Sequence, residues 1–139
     1  QVPSEKVKEY MEKANIFIGT SDSNEGWGAV VNEAMNAGCA IVANQKMGSV
    51  PFLIKHKQNG MYYNTYKELE NNVKELINNK QLRDSLGKNA YKFITEEWTG
   101  EIAAENILKL FETTINKKEN EVKNGPASNA SKYKKLTKI

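Results

Sequence analysis

Residues 21–44 read SDSNEGWGAVVNEAMNAGCAIVAN, and this stretch decides the fold class. An apolar, β-branched run at 16–20 ends just before it, a helical pattern starts near Gly28, and a second apolar run covers 39–43. This order predicts a strand, a glycine-rich turn, a helix and a buried strand. Strand, helix and strand in succession form a right-handed βαβ unit, and ligands of such folds bind beyond the carboxyl ends of the strands.

The turn places Gly26 and Gly28 on either side of Trp27, where backbone amides can approach a ligand without a Cβ in the way. The helix that follows begins with unpaired N–H groups, which favour an anion and above all a phosphate. Glu25 precedes the turn, and Glu33 lies about one helical turn beyond the helix start. Because a carboxylate accepts two hydrogen bonds from vicinal hydroxyls, acids beside a phosphate site suggest a sugar. The residues alone therefore predict a pocket for a phosphorylated sugar, bracketed by two acids, one for each sugar ring.

The run EGWGAVVNEAMNAGCAIVA at 25–43 resembles the E-x7-E signature of retaining GT-B glycosyltransferases, specifically family 4, glycosyl transferases group 1. The resemblance extends from about Pro3 to about Phe111, most of the chain. It implies an α/β fold, a partial Rossmann-like GT-B C-terminal domain in which a short parallel sheet is flanked by helices.

The same resemblance implies the roles of the site residues. Glu33 would hold the ribose hydroxyls of a nucleotide, and Glu25 would lie beside the transferred sugar as the catalytic residue. Hydroxyls and the diphosphate would be bound by the amides around Gly26, Trp27, Gly28, Ala29 and Val30. The ring of Trp27 either lines the pocket beside the sugar or plugs the turn. The donor would be a nucleotide diphosphate sugar, with UDP-sugars favoured among relatives, and neither a cofactor nor a metal is expected.

The implied activity is transfer of a hexose with retention of anomeric configuration, in bacterial surface polysaccharide synthesis. Amides and cations would stabilise the leaving diphosphate, and Glu25 would favour the oxocarbenium-like transition state. Two alternatives stay open. One is a non-catalytic nucleotide-sugar-binding or interaction module made from the same half-fold. The other is hydrolysis by the pair of glutamates, which a phosphate-binding helix start argues against because a glycosidase has no diphosphate to bind.

A GT-B enzyme has two Rossmann-like domains, and 139 residues are too few for both. We therefore expect residues 1–116 to be the C-terminal nucleotide-sugar-binding half of such an enzyme, inactive as a fragment. A saccharide or lipid-linked acceptor would bind through the missing N-terminal domain.

The formal net charge of +3 is unevenly distributed. Residues 117–139 carry seven Lys and two Glu, hence +5, which leaves −2 for residues 1–116. The composition of 117–139 predicts a basic, disordered tail, and charge in a tail is not the footprint of a nucleic-acid-binding domain. No apolar run reaches the ~20 residues of a membrane span and no signal peptide is recognisable, so we expect a cytoplasmic protein. Contact of the lysines with anionic lipid, and so peripheral association at the inner membrane face, is a second interpretation.

The remaining patterns predict scaffold. Ser4 should cap a first surface helix, Gly48 should give freedom to a loop that ends in a short helical turn, and a turn at 59–60 should lead into a short strand. Three further helices are predicted at about 66–78, 81–96 and 99–115. Single residues predicted to be structural are Cys39 as a buried thiol, His56 as a surface residue, and Trp98 as an aromatic cap on the core.

Overall fold

The computed structural model describes residues 3–129, which form a parallel three-stranded sheet covered by helices. The elements in chain order are α1 (Ser4–Lys13), β1 (Ile16–Gly19), α2 (Val30–Asn36), β2 (Ala40–Asn44), α3 (Val50–Leu53), β3 (Met61–Tyr63), α4 (Tyr66–Asn78), α5 (Lys80–Glu97) and α6 (Gly100–Ile115). The α/β fold class, the βαβ unit and the order of the later helices are confirmed.

The sheet has the strand order β1–β2–β3, and both pairs are parallel. The carboxyl ends of the strands, at Gly19, Asn44 and Tyr63, therefore lie at one edge. The hydroxyl of Tyr63 donates a hydrogen bond to the Gly19 carbonyl at 3.0 Å and so ties the two outer strands together at that edge. This edge is where ligands of parallel α/β folds bind.

The central strand β2 divides the core into two halves, because successive side chains of a strand point to opposite faces. Ile41 and Ala43 join a cluster built mainly from α2, α3 and the second half of α5. Ala40 and Val42 join a second cluster built from β3, α4 and the first half of α5. All four of these strand residues are fully buried, which explains the continuous apolar run in the sequence.

Three helix starts show how local signals set the boundaries. Helix α2 begins at Val30, later than the predicted Gly28, because Gly28 has φ +74, which is outside the helical region. Ser4 is the first residue of α1 and makes no side-chain cap, so its predicted N-cap role is wrong. Helix α4 starts with a full capping box between Thr65 and Glu68, as Ser/Thr-x-x-Glu sequences favour.

Residues 117–129 contain no helix or strand, yet they make definite contacts. Val122 and Gly125 are buried, and the amide of Asn106 in α6 donates to the carbonyls of Asn124 and Pro126 at 3.0 and 2.9 Å. The disorder that composition indicates for 117–139 stays a prediction. Residues 130–139 lie outside the described residues, and the division of the chain at residue 116 stays a prediction. Within residues 3–129, no helix has the length and apolar character needed to cross a membrane.

Candidate functional site

Two loops meet at the carboxyl edge of the sheet, one after β1 at 20–29 and one after β2 at 45–49. The amide of Ser49 donates to the Trp27 carbonyl at 2.8 Å, and its hydroxyl donates to the Gly28 carbonyl at 3.4 Å. Ser49 is fully buried, so these bonds are shielded from water. The second loop therefore holds the glycine-rich first loop in place.

Gly48 is required by contact rather than by loop freedom, which corrects the sequence interpretation. A Cβ built on Gly48 would lie 2.1 Å from the Gly26 carbonyl oxygen. Below the loops, the buried side chain of Met47 fills the space beside two further glycines, Gly19 and Gly28. The glycines of both loops thus allow two backbones and a methionine to pack closely.

A row of amides on the first loop is left without acceptors. The amides of the flanking residues are used, since Glu25 N–H donates to the Asp22 carbonyl and Val31 N–H to the Gly28 carbonyl. Between them, the amides of residues 26–30 donate to no acceptor anywhere in the described chain, 3–129. The N-cap position of α2, Ala29, has no side-chain oxygen that could satisfy them. Consecutive free N–H groups of this kind can hold an anion.

The two glutamates lie in separate clefts, whereas the sequence predicted one pocket bracketed by both. Half-buried Glu25 belongs to an open cleft of about 620 Å³, and exposed Glu33 to a groove of about 410 Å³ between α1 and α2. The first is lined by Thr20, Ser21, Asp22, Asn24, Glu25 and Gly26, and the second by Ser4, Val7, Lys8, Met11, Glu12, Glu33, Asn36 and Ala37. We call them the Glu25 cleft and the Glu33 groove. Along the chain, the free amides lie between them.

The wall that α1 contributes to the Glu33 groove was missed from the sequence, where α1 was taken for a surface helix. Val7 and Met11 are four residues apart and so lie on one face of α1, and both line the groove. Their spacing was visible, but it reads equally well as a stripe packed on the sheet. Only the contact between α1 and α2 shows that the face is open toward Glu33.

The ring of Trp27 lies in an aromatic cluster with Phe52 and Trp98. Its centroid is 5.3 Å from that of Phe52 and 5.5 Å from that of Trp98, and its Nε1–H donates to Asn32 Oδ1 at 2.8 Å. The exposed fraction of Trp27 is 38%. These contacts favour the plug interpretation of Trp27, and they agree with the predicted role of Trp98, which packs against the core cluster of the same face.

Cys39 and His56 are both at least partly buried, and each makes a hydrogen bond to the backbone. Cys39 is buried, its thiol lies 3.3 Å from the Met11 carbonyl, and burial raises its pKa. His56, predicted to be a surface residue, is half-buried, and its Nδ1 accepts a hydrogen bond from the Tyr62 amide at 3.1 Å. Burial lowers the pKa of His56, and neighbouring Lys57 acts in the same direction. The described residues contain no cluster of three or more His, Cys, Asp or Glu that could hold a metal ion.

A parallel sheet flanked by helices, with an open cleft beyond the carboxyl end of β1, defines an α/β domain of the doubly wound type. Within that class, the sequence profile of the family described as glycosyl transferases group 1 matches residues 1–93, and the chain belongs to this family.

The chain is similar to named members of the same group. It is 30% identical over 118 residues to the uncharacterized glycosyltransferase MJ1069 of Methanocaldococcus jannaschii, a match that covers 84% of this chain and 30% of that protein. It is 22% identical to the putative glycosyltransferase YtcC of Bacillus subtilis, over 84% of this chain and 29% of that protein. The chain thus spans about 30% of the length of these curated relatives.

Solved structures show the same fold. The C-terminal domain of a glycosyl transferase group 1 family protein (LpcC) from Francisella tularensis matches with a TM-score of 0.61 at 23% identity, over 68% of this chain and 49% of that one. Anabaena Alr3699/HepE in complex with UDP-glucose matches with a TM-score of 0.58 at 22% identity, over 78% of this chain and 29% of that one. The expected GT-B C-terminal fold is confirmed.

Proposed function

We propose that this chain is the donor-binding part of a retaining glycosyltransferase and that it binds a nucleotide diphosphate sugar. The observation that carries the proposal is the row of free amides at 26–30, which has a carboxylate-lined cleft before it and another after it along the chain. The likeness to Anabaena Alr3699/HepE, which is solved in complex with UDP and with UDP-glucose, supports a UDP-sugar as the donor.

The nucleoside would occupy the Glu33 groove. Its volume of about 410 Å³ falls within the ~300–1,000 Å³ typical of small-molecule sites. Val7, Met11 and Ala37 give it an apolar wall suited to the flat face of a nucleobase. The carboxylate of Glu33 would then accept hydrogen bonds from the vicinal ribose hydroxyls, which a carboxylate can do with both oxygens.

The diphosphate would lie over the amides of residues 26–30. Helix α2 has only seven residues, so the binding energy is assigned to individual N–H groups rather than to the helix as a whole. Hydrogen bonds to a charged group are worth about 1.5–3 kcal/mol each, so a few of them suffice for specific binding. During transfer, the same groups would stabilise the charge that develops on the leaving diphosphate.

The hexose would lie in the Glu25 cleft, where the polar side chains of Ser21, Asp22 and Asn24 can pair with sugar hydroxyls. Glu25 would orient the sugar and favour its oxocarbenium-like transition state. In the full-length enzyme the hexose would pass, with retention, to a saccharide or lipid-linked acceptor held by an N-terminal domain, in bacterial surface polysaccharide synthesis. The 139-residue chain alone would bind the donor without turnover.

The test is a thermodynamic cycle with UDP and 2′-deoxy-UDP as ligands. The chain should bind UDP about 10–100-fold more tightly than 2′-deoxy-UDP, because one hydrogen bond to a charged acceptor is lost. In Glu33→Gln most of this preference should disappear. The control Glu9→Gln changes the same charge on the exposed side of α1, away from the residues that line the groove, and should keep the preference. An undiminished preference in Glu33→Gln would remove Glu33 from the ribose site.

The full-length gene product separates the rival activities. Retaining transfer of a hexose from a nucleotide sugar supports the proposal. Nucleotide-sugar binding without transfer would identify a binding module, and release of sugar from a substrate that carries no nucleotide would identify a hydrolase.

A further inference from the structure

The aromatic cluster of Trp27, Phe52 and Trp98 connects the glycine loop to distant parts of the chain. Trp27 belongs to the loop itself, Phe52 to α3, and Trp98 follows directly after the last residue of α5. The ring centroids of Phe52 and Trp98 are 6.5 Å apart, so each ring contacts the other two. Trp27 thus packs against two rings that belong to residues outside the clefts.

The segment 117–129 packs against the residue that precedes Trp98. Gly125 has φ +78 and lies so close to the end of α5 that an added Cβ would be 2.7 Å from the Glu97 carbonyl oxygen. The buried amide of Asn106 fixes the backbone on both sides of Gly125 through its two hydrogen bonds. The segment is therefore held against the backbone of the residue next to Trp98.

From this geometry we propose that Trp98 is a positioning residue for donor binding. Its ring holds the ring of Trp27, and Trp27 is bonded at two points: its indole N–H to Asn32 in α2 and its carbonyl to the Ser49 amide. Both bonds fix the backbone that presents the free amides of 26–30. The C-terminal segment thus acts on the donor site through Trp98, although none of the residues 117–129 lines either cleft. The link to the donor rests on the proposed function.

The test compares variants of the 139-residue chain. Trp98→Leu removes both aromatic contacts and should weaken UDP binding about tenfold, which corresponds to about 1.4 kcal/mol. Trp98→Phe keeps a ring in the cluster and should bind UDP within about threefold of the wild type. The control Leu86→Ala opens a cavity in the core on the opposite face of the sheet. It should lower the melting temperature while leaving the UDP affinity of the folded protein unchanged.

A spectroscopic readout tests, without any ligand, whether Trp98 positions Trp27. The chain has two tryptophans, so its ¹H–¹⁵N spectrum contains two indole signals. In Trp98→Leu, the Trp27 indole signal should shift and the Ser49 amide should exchange faster with solvent. Leu86→Ala should change neither. Gly125→Ala disturbs the segment but keeps both rings. It should shift the Trp27 indole signal and speed the exchange of the Ser49 amide, in each case in the same direction as Trp98→Leu and by a smaller amount.

The outcomes separate the positioning role of Trp98 from the proposed binding of the donor. If folded Trp98→Leu keeps the Trp27 indole position and the Ser49 exchange rate of the wild type, the inference is overturned. If Trp98→Leu does not fold, the same two measurements on Gly125→Ala, the Trp27 indole shift and the Ser49 exchange rate, decide whether the inference holds. If the wild type does not bind UDP, the proposed function fails, and the indole and exchange measurements still decide whether Trp98 positions the loop.

Discussion

Replacing Gly48 by alanine tests whether the two loops at the sheet edge are in close contact. The added Cβ would lie 2.1 Å from the Gly26 carbonyl oxygen, whereas real Cβ atoms essentially never come closer than 3.0 Å, so the loops must separate by about 0.9 Å. The obstacle is backbone and cannot rotate away. Overpacking of this kind costs about 1–3 kcal/mol. The separation would also strain the bond from the Ser49 amide to the Trp27 carbonyl, now 2.8 Å.

We therefore expect Gly48→Ala to lower the free energy of unfolding by about 1–3 kcal/mol, as measured by urea denaturation. UDP binding by the folded fraction should also weaken, because the amides of 26–30 lose their support. The control is Gly100→Ala, where an added Cβ meets nothing within 4 Å at the start of α6, and it should be neutral or slightly stabilising. If Gly48→Ala and Gly100→Ala unfold at the same urea concentration, the close contact inferred here is wrong.

Three further predictions concern single residues. Gly26→Ala should fold as stably as the wild type, since its Cβ position is open, yet bind UDP more weakly in calorimetric titration because the methyl group stands where the ligand would approach. Glu25→Gln in the full-length enzyme should lower kcat about 100-fold or more while leaving the dissociation constant of UDP nearly unchanged. The single histidine, His56, has its pKa lowered on folding, so below about pH 6.5 the unfolded chain binds more protons. The free energy of unfolding should therefore fall between about pH 7 and 5, and His56→Asn, followed by urea denaturation over that range, should show a shallower slope.

The parts of the fold that the sequence predicted are those with strong local signals. The strands β1 and β2 have continuous apolar runs, of which only that of β2 is largely buried, and α4 combines a capping box with an apolar stripe. These features depend on neighbours in the chain, so pattern alone places them within a residue or two. The start of α2 was misplaced because Gly28 has a positive φ, and the pattern of residue types did not indicate it.

The site residues named from the sequence stay a prediction, and sequence pattern does not give their arrangement in space. The groove beside Glu33 depends on the contact of α1 with α2, which no local pattern encodes. Composition likewise describes whether a segment can form its own core, and 117–129 cannot. Composition does not show that such a segment can be held against the fold by the hydrogen bonds of Asn106 and by close packing of Gly125 on the Glu97 carbonyl.

The most direct test of the account is an NMR titration of the ¹⁵N,¹³C-methyl-labelled chain with UDP. We expect saturable shifts in the amides of residues 26–30 and in the methyl groups of Val7 and Met11, which share the groove with Glu33. Shifts confined to the amides would retain the phosphate site and remove the nucleoside from the groove. No shift in either set, at UDP concentrations well above the dissociation constants typical of nucleotide sites, would contradict the assignment of this edge of the sheet to a nucleotide sugar.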